Sequence, residues 1–162
     1  MAEILDVNEM LANTYEPLRK FRFILAISGI DAFTVKAATR PQVTFGETVI
    51  DFINTKRYLS GKAEYGELSI TLVDPIVPSA SQKVMEWVRL NYEAATGRMG
   101  YAQFYKKDFN IKMLDPVGAV VQDWLIQGAW IKDFNGNELD YTNNDPADIT
   151  LSVRFDQFIL QF

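Results

Sequence analysis

The sequence predicts a mainly β fold: two packed antiparallel sheets or a partly closed β-barrel, with one flanking α-helix. Three observations carry this. The last quarter, Asp123 to Phe162, holds two long stretches of alternating apolar residues joined by an Asn/Asp/Gly-rich connection. Side chains alternate faces along a strand, so Trp124, Ile126, Gly128 and Trp130 are expected on one face, and Ile149, Leu151, Val153 and Phe155 on another. A single stretch, Ser79 to Gly97, has convincing helical spacing. No repeat, linker or low-complexity tract divides the 162 residues, so they read as one domain.

The elements follow in order. Residues 1–17 read as a polar N-terminal arm, with a helical turn around Val7 to Leu11. Phe21 to Ile27 alternates and forms the first strand, with Phe21, Phe23, Leu25 and Ile27 on one face. Ser28 to Asp31 turns the chain, and Phe33 to Ala38 returns until Pro41, which cannot donate to a ladder. Gln42 to Phe52 is long and extended, and Gly46 within it marks a bulge or a close backbone approach. Thr55 to Gly66 mixes charge, glycine and tyrosine and reads as a long loop or hairpin tip. Leu68, Ile70 and Leu72 mark the next strand, closed by Asp74-Pro75.

Ser79 and Gln82 form a capping-box pattern at the helix start. Ala80, Val84, Trp87, Val88, Asn91 and Ala95 then share one helical face, and Gly97 supplies the stop. Tyr101 to Phe104 reads as a short edge segment, and Phe109, Ile111 and Met113 alternate as a strand. Asp115 to Gly118 turns the chain into the long strand Ala119 to Ile131, and Asn135-Gly136 is a further turn. Phe158, Ile159, Leu160 and Phe162 end the sequence on an apolar run, although termini are usually exposed and frayed. Such a run is expected to be buried by a neighbouring subunit; the alternative is that it folds back on its own sheet.

Composition excludes more than it selects. The chain has no cysteine and no histidine, which removes disulfides, thiol chemistry, the usual general base and the commonest metal ligand. No two carboxylates are visibly paired for acid/base work, so the chain is not expected to be an enzyme, and no cofactor is expected. A net charge of −5 argues against a dedicated nucleic-acid binder. The basic groups Arg19, Lys20, Arg22 and Lys106, Lys107 read as solvated faces or interface partners. Asp133, Asn135 and Asn137 have the opening spacing of a calcium loop, but Glu138 and Asn144 stand where glycine and glutamate are needed, so a plain turn is the reading. Gly61-Lys62 lacks the rest of a phosphate loop. Trp87, Trp124 and Trp130 read as core rather than a ligand cage. The acidic start MAEILDVNEML lacks a signal peptide's basic region, and no apolar run reaches the roughly 20 residues of a membrane helix. The expectation is folding in the cytoplasm of the producing cell, without stable membrane association.

The strand W-x-I-x-G-x-W, the turn NGNELDYTNND and the strand ITLSVRFDQF together resemble the tail tube proteins of contractile-tailed bacteriophages. FRFILAI followed by FTVKAATRPQ resembles that family's first hairpin, GELSITLVDP its pre-helix strand, and SASQKVMEWVRLNYEAATG its helix. The resemblance runs from about Phe21 to Phe158 and rests on the order and spacing of these segments.

It implies a structural subunit of a virion tail, assembled in the host cytoplasm into homo-hexameric rings that stack into a tube. The tube would be the conduit for genome delivery inside a contractile sheath. The implied partners are the tail sheath protein, the baseplate or tube initiator, the tail terminator, and double-stranded DNA passing without sequence-specific binding. The tube of a phage-derived contractile injection or type VI secretion system is the nearest alternative. A monomeric small-ligand-binding β-barrel is the alternative from another class. Within the resemblance, residues 55–66 are expected to be an assembly loop and residues 158–162 an interface segment. The expected subunit contacts are Tyr58, Leu59, Lys62, Tyr65, Phe158, Ile159, Leu160 and Phe162. Thr44, Glu47, Thr48 and Asp51, polar positions of an extended strand, are the lumen candidates.

Overall fold

A computed structural model describes residues 15–162. The helical turn expected around residues 7–11 lies outside the described residues. Strands β1 (Phe23–Ala26), β2 (Val35–Ala38), β3 (Val43–Phe52), β4 (Thr55–Tyr65) and β5 (Leu68–Val73) precede helix α1 (Ala80–Asn91). The one-turn helix α2 (Ala102–Tyr105) follows, then β6 (Lys107–Leu114), β7 (Val120–Asn135), β8 (Asp148–Arg154) and β9 (Gln157–Leu160). The chain is mainly β, as predicted. Seven strands form one antiparallel sheet in the order β1-β6-β7-β8-β5-β2, with β9 also paired to β7. β3 and β4 form a separate two-stranded sheet. The large sheet does not close into a barrel, because β1 and β2 are its two free ends.

The sheet folds across β7. The first half of this 16-residue strand pairs with β6 and β9, and its second half pairs with β8. Leu25, Ile111 and Ile126 from one half then meet Leu68, Ile70, Leu151 and Val153 from the other in a single core. All four residues expected on the inward face of β8, Ile149, Leu151, Val153 and Phe155, are buried. Alternation alone was sufficient there, because the β5–β8 register is unbroken from Leu68↔Val153 to Val73↔Asp148.

The expected face of β7 is corrected. Lys107 opposes Ala129 while Phe109 opposes Ile126, so β7 carries one extra residue opposite Asp108. Gly128 sits in that bulge at φ 68, its N–H bonded to an Asp108 carboxylate oxygen at 2.9 Å. One inserted residue reverses the inward phase, so Ile126 is buried before the bulge and Ala129 and Ile131 after it. Trp124 therefore packs against the core, while Trp130 faces the other way and meets Tyr105 edge-on at 6.3 Å.

Helix α1 buries Ala80, Val84 and Trp87 against the sheet. Its N-cap is Ser79, which accepts from the Gln82 N–H at 3.4 Å. Asp74 does more: its carboxylate accepts from the Ser79 hydroxyl, the Ala80 and Ser81 N–H groups and the Ser81 hydroxyl. These donors hold its pKa below the ordinary carboxylate value, the Ser81 hydroxyl most strongly. The helix stops at Asn91, earlier than Gly97 suggested, and Ala95 is not part of it. The chain doubles back here: the Gly100 N–H bonds the Asn91 carbonyl at 2.9 Å, and Gly97, at φ 69, turns that return. Tyr101–Phe104 is not an edge strand. The segment winds instead into α2, whose Tyr105 carbonyl accepts the Trp87 indole N–H at 2.6 Å.

The expected first hairpin is not formed: β1 pairs with β6 and β2 with β5, at opposite ends of the sheet, and both strands are shorter than read. Phe21 and Phe33 are exposed, and Ala32–Thr34 is a 3-10 turn tied by the Thr34 hydroxyl to the Asp31 carbonyl at 2.7 Å.

Two outcomes are expected. A Cβ on Gly128 would stand 2.2 Å from an Asp156 carboxylate oxygen, whereas one on Gly118 (φ 90) would meet nothing within 4 Å. Gly118→Ala should therefore cost only backbone strain, about 1–2 kcal/mol, and Gly128→Ala distinctly more. Urea unfolding of both variants checks this, and equal losses would contradict it. The second outcome concerns acid. Because the folded pKa of Asp74 is lowered, its contribution is complete above the unfolded value, about 4, and disappears as pH falls through the folded value. Asp74→Ala should lose about 1–2 kcal/mol at neutral pH and show a shallower acid limb below about pH 4. A variant with the wild-type acid limb would remove Asp74 from that role.

Candidate assembly surfaces

Residues 55–66, expected as a loop, are mostly strand: β4 pairs with β3 from Phe52↔Thr55 to Val43↔Tyr65. The misreading has a physical cause. Strands buried on one face alternate apolar and polar residues, and TKRYLSGKAEY does not, because neither face of this strand is buried by the subunit. β3 likewise puts Phe45 and Val49 on one face and Ile50 and Phe52 on the other, all exposed. The ten residues of β3 make an arm roughly 30 Å long at about 3.4 Å per residue. A two-stranded hairpin is marginal in water without a surface to pack on. At its tip, Ile53 is 88% exposed and holds φ 52.

The arm is bulged where glycine predicted. Phe45 opposes Ala63 while Glu47 opposes Ser60, so the extra residue lies on β4, at Gly61-Lys62. A Cβ on Gly61 would be 3.0 Å from the Gly46 carbonyl carbon, so both glycines serve one close crossing. Register then sorts the candidates. Phe45, Glu47, Val49 and Asp51 share a face with Tyr58 and Lys56, whereas Thr44, Thr48, Ile50 and Phe52 share the other with Leu59 and Arg57. The four lumen candidates are therefore divided, Thr44 and Thr48 opposite Glu47 and Asp51, and a single wall cannot present all four. Lys62 is exposed at the bulge. Tyr65, at the base of the arm, is half-buried against Phe155 and Phe158, with ring centroids 5.8 and 5.4 Å away.

The C-terminal segment folds back on its own sheet. β9 pairs with β7 from Gln127↔Gln157 to Trp124↔Leu160, and the Asp123 N–H reaches the Phe162 carbonyl at 2.9 Å. Phe158 is half-buried and packs against the subunit core, its ring on Trp124, Tyr65 and Phe155. Ile159, Leu160 and Phe162 remain exposed, the last at 62%. The five-residue tail read as one interface segment is thus two things: an aromatic anchor and an uncovered edge. Elsewhere, Leu90, Met99, Tyr101 and Phe104 expose a second apolar patch beside α1, which the sequence reading missed, having read Tyr101 to Phe104 as a short edge segment.

Little on these surfaces resembles a chemical site. The Asn137 amide donates to the Asp148 carbonyl and the Thr150 hydroxyl, and Asn135 caps the Asn137 N–H, so the calcium-like spacing builds a turn. Lys107 lies 5.0 Å over the Trp87 ring with its pKa lowered by burial, and donates to the Ser28 carbonyl at 3.1 Å. No helix of the described residues is long and apolar enough to cross a membrane.

Division of the tail into anchor and edge predicts different consequences. Phe158→Ala, at a half-buried site, should cost about 2–3 kcal/mol of subunit stability, below the full-burial figure. Leu160→Ser with Phe162→Ser should change it by less than about 1 kcal/mol. Denaturant titration of unassembled subunits distinguishes them, and a stability loss in the double variant rivalling Phe158→Ala would show that the edge too belongs to the core.

Comparison with known proteins gives a consistent result. A family model described as T4-like virus tail tube protein gp19 matches residues 19–159. Among solved structures, the sheath/tube terminator of an extracellular contractile injection system, PVC, in its extended state superposes with TM-score 0.75 at 15% identity, covering 92% of this chain and 99% of that one. The PVC sheath–tube complex gives TM-score 0.73 at 15% identity, covering 98% and 99%. Hcp1 from Flavobacterium johnsoniae gives TM-score 0.50 at 17% identity, covering 87% and 95%. A search of curated protein sequences finds no significant match.

Proposed function

The chain belongs to the T4-like virus tail tube protein family, and from that premise we propose that it is the structural subunit of a phage tail tube. Its copies form hexameric rings, and the rings stack into a hollow conduit for genome delivery inside a contractile sheath. The observation that carries the proposal is the β3–β4 arm, which exposes apolar side chains on both faces and pairs with no other strand among the described residues. Contacts between identical copies that are not self-complementary run head to tail, and rings are their closed form. The exposed edge at Ile159, Leu160 and Phe162 adds apolar surface of the same kind.

Assembly on the baseplate or initiator, surrounded by sheath and closed by a terminator, places the subunit in the virion tail after synthesis in the host cytoplasm. The protein performs passage, not bond chemistry. A net charge of −5, with 21 acidic against 16 basic residues, suits a wall along which double-stranded DNA slides, since the acidic excess repels phosphates. Of the lumen candidates, the uncharged pair Thr44 and Thr48 is assigned to the channel side.

A second reading is favoured by the fold: the subunit builds or terminates the tube of a phage-derived contractile injection system, since both tube and terminator structures superpose on it well. Growth separates the two roles. A tube subunit elongates with concentration, while a terminator caps and stops.

Electron microscopy and light scattering of the purified protein should show rings or tubes with a central hole. A monodisperse monomer at high concentration, with initiator proteins present, would overturn the proposal. Phe45→Asp with Val49→Asp should abolish assembly and leave the circular dichroism of the body intact, because each buried large side chain contributes about 1.5–3 kcal/mol per contact.

A further inference from the structure

The gap between the free ends of the large sheet is more than an opening. Among the described residues β1 pairs only with β6 and β2 only with β5, so each leaves a row of backbone N–H and C=O groups without a strand partner. Behind them lies a cleft of about 440 Å³ with Phe23, Ala38, Ile111 and Met113 in its apolar wall. Lys20 and Arg40 are its charges, and neither forms a salt bridge within the described residues. Unpaired edges are answered by another strand rather than by a small molecule, which cannot satisfy a row of amides.

The arm carries the complementary pattern. Phe45, Glu47 and Val49 stand in line on one face, an acid between two apolar side chains. Glu47 has no salt-bridge partner within the described residues. The subunit's own arm does not fill its own cleft, since Phe45 is 62% exposed although it lies only a few residues past Arg40. Resting on the ring assembly argued above, we propose that this cleft is the seat for the β3–β4 arm of a neighbouring copy. Phe45 and Val49 enter its apolar wall, and Glu47 meets Lys20 and Arg40. Arm and seat are on the same chain but are different surfaces, which makes the contact head to tail and able to close a ring.

The test uses the full chain. Glu47→Arg should raise the concentration needed for assembly at least about tenfold, the equivalent of about 1.4 kcal/mol. Lys20→Glu with Arg40→Glu should do the same, and combining all three substitutions should restore assembly. Because the chain has no cysteine, a mixture of Phe45→Cys and Ala38→Cys subunits should give cross-linked mixed dimers on oxidation, in excess of either homodimer. If wild-type tubes form but neither the rescue nor the mixed dimer is seen, the seat is elsewhere and the tube reading stands. If the wild type never assembles, the tube reading itself falls, and this proposal with it.

Discussion

The structure depends on the break in β7 at Gly128. Without the extra residue, one strand would present a continuous inward face, and the same side could not serve both β6 and β8 with the right residues inside. The bulge switches phase, so Ile126 fills one half of the core and Ile131 the other. It is held from both sides. The Asp108 carboxylate accepts the Gly128 N–H, and Asp156, where β8 hands over to β9, occupies the space a side chain would take. Lys106 bonds both Asp156 oxygens at 2.9 and 2.8 Å, which ties the corner to the end of α2. The fold across β7, the placement of β9 and the outward turn of Trp130 follow from this one corner.

From that corner outward, the subunit divides into a finished part and an unfinished part. The body buries its inward faces, from Leu25 on β1 to Val153 on β8, and caps its helix with Asp74. The arm, the β9 edge and the gap between β1 and β2 are left uncovered. A monomer built for solution would not leave a long hairpin with Phe45, Ile50 and Phe52 in water, because unpaired edges and apolar faces recruit other chains. In the proposed assembly, neighbouring copies complete them. The absence of barrel closure has the same sense: a closed barrel abolishes its edges and leaves nothing to join.

Much of the body was legible because local and tertiary demands agree there. The faces of β5, β6 and β8, the capped start of α1 and the turn at Asn135-Gly136 needed only period-two alternation, a capping serine and turn chemistry. The candidate surfaces were harder. Tyr58 and Leu59 were correctly placed outside the core, but their segment was read as a loop because exposed strands lose the pattern by which strands are recognised. Phe158 and Phe162 looked equivalent in sequence, being apolar residues of one run, yet only Phe158 finds Tyr65 and Trp124, residues more than thirty positions away in the chain.

What the sequence determined by itself was the class of fold, the inward faces of β5, β6 and β8 and the capped start of α1, since each is set by the period of nearby side chains. It also pointed to a close backbone approach at Gly46 within the arm, which Gly61 makes from the other strand. The tertiary structure alone decided on which strand the arm's extra residue falls, how β7 changes face, and which apolar residues are left for a neighbour. Those outcomes turn on register, and register is a property of two strands brought together, which neither strand's own residues can specify.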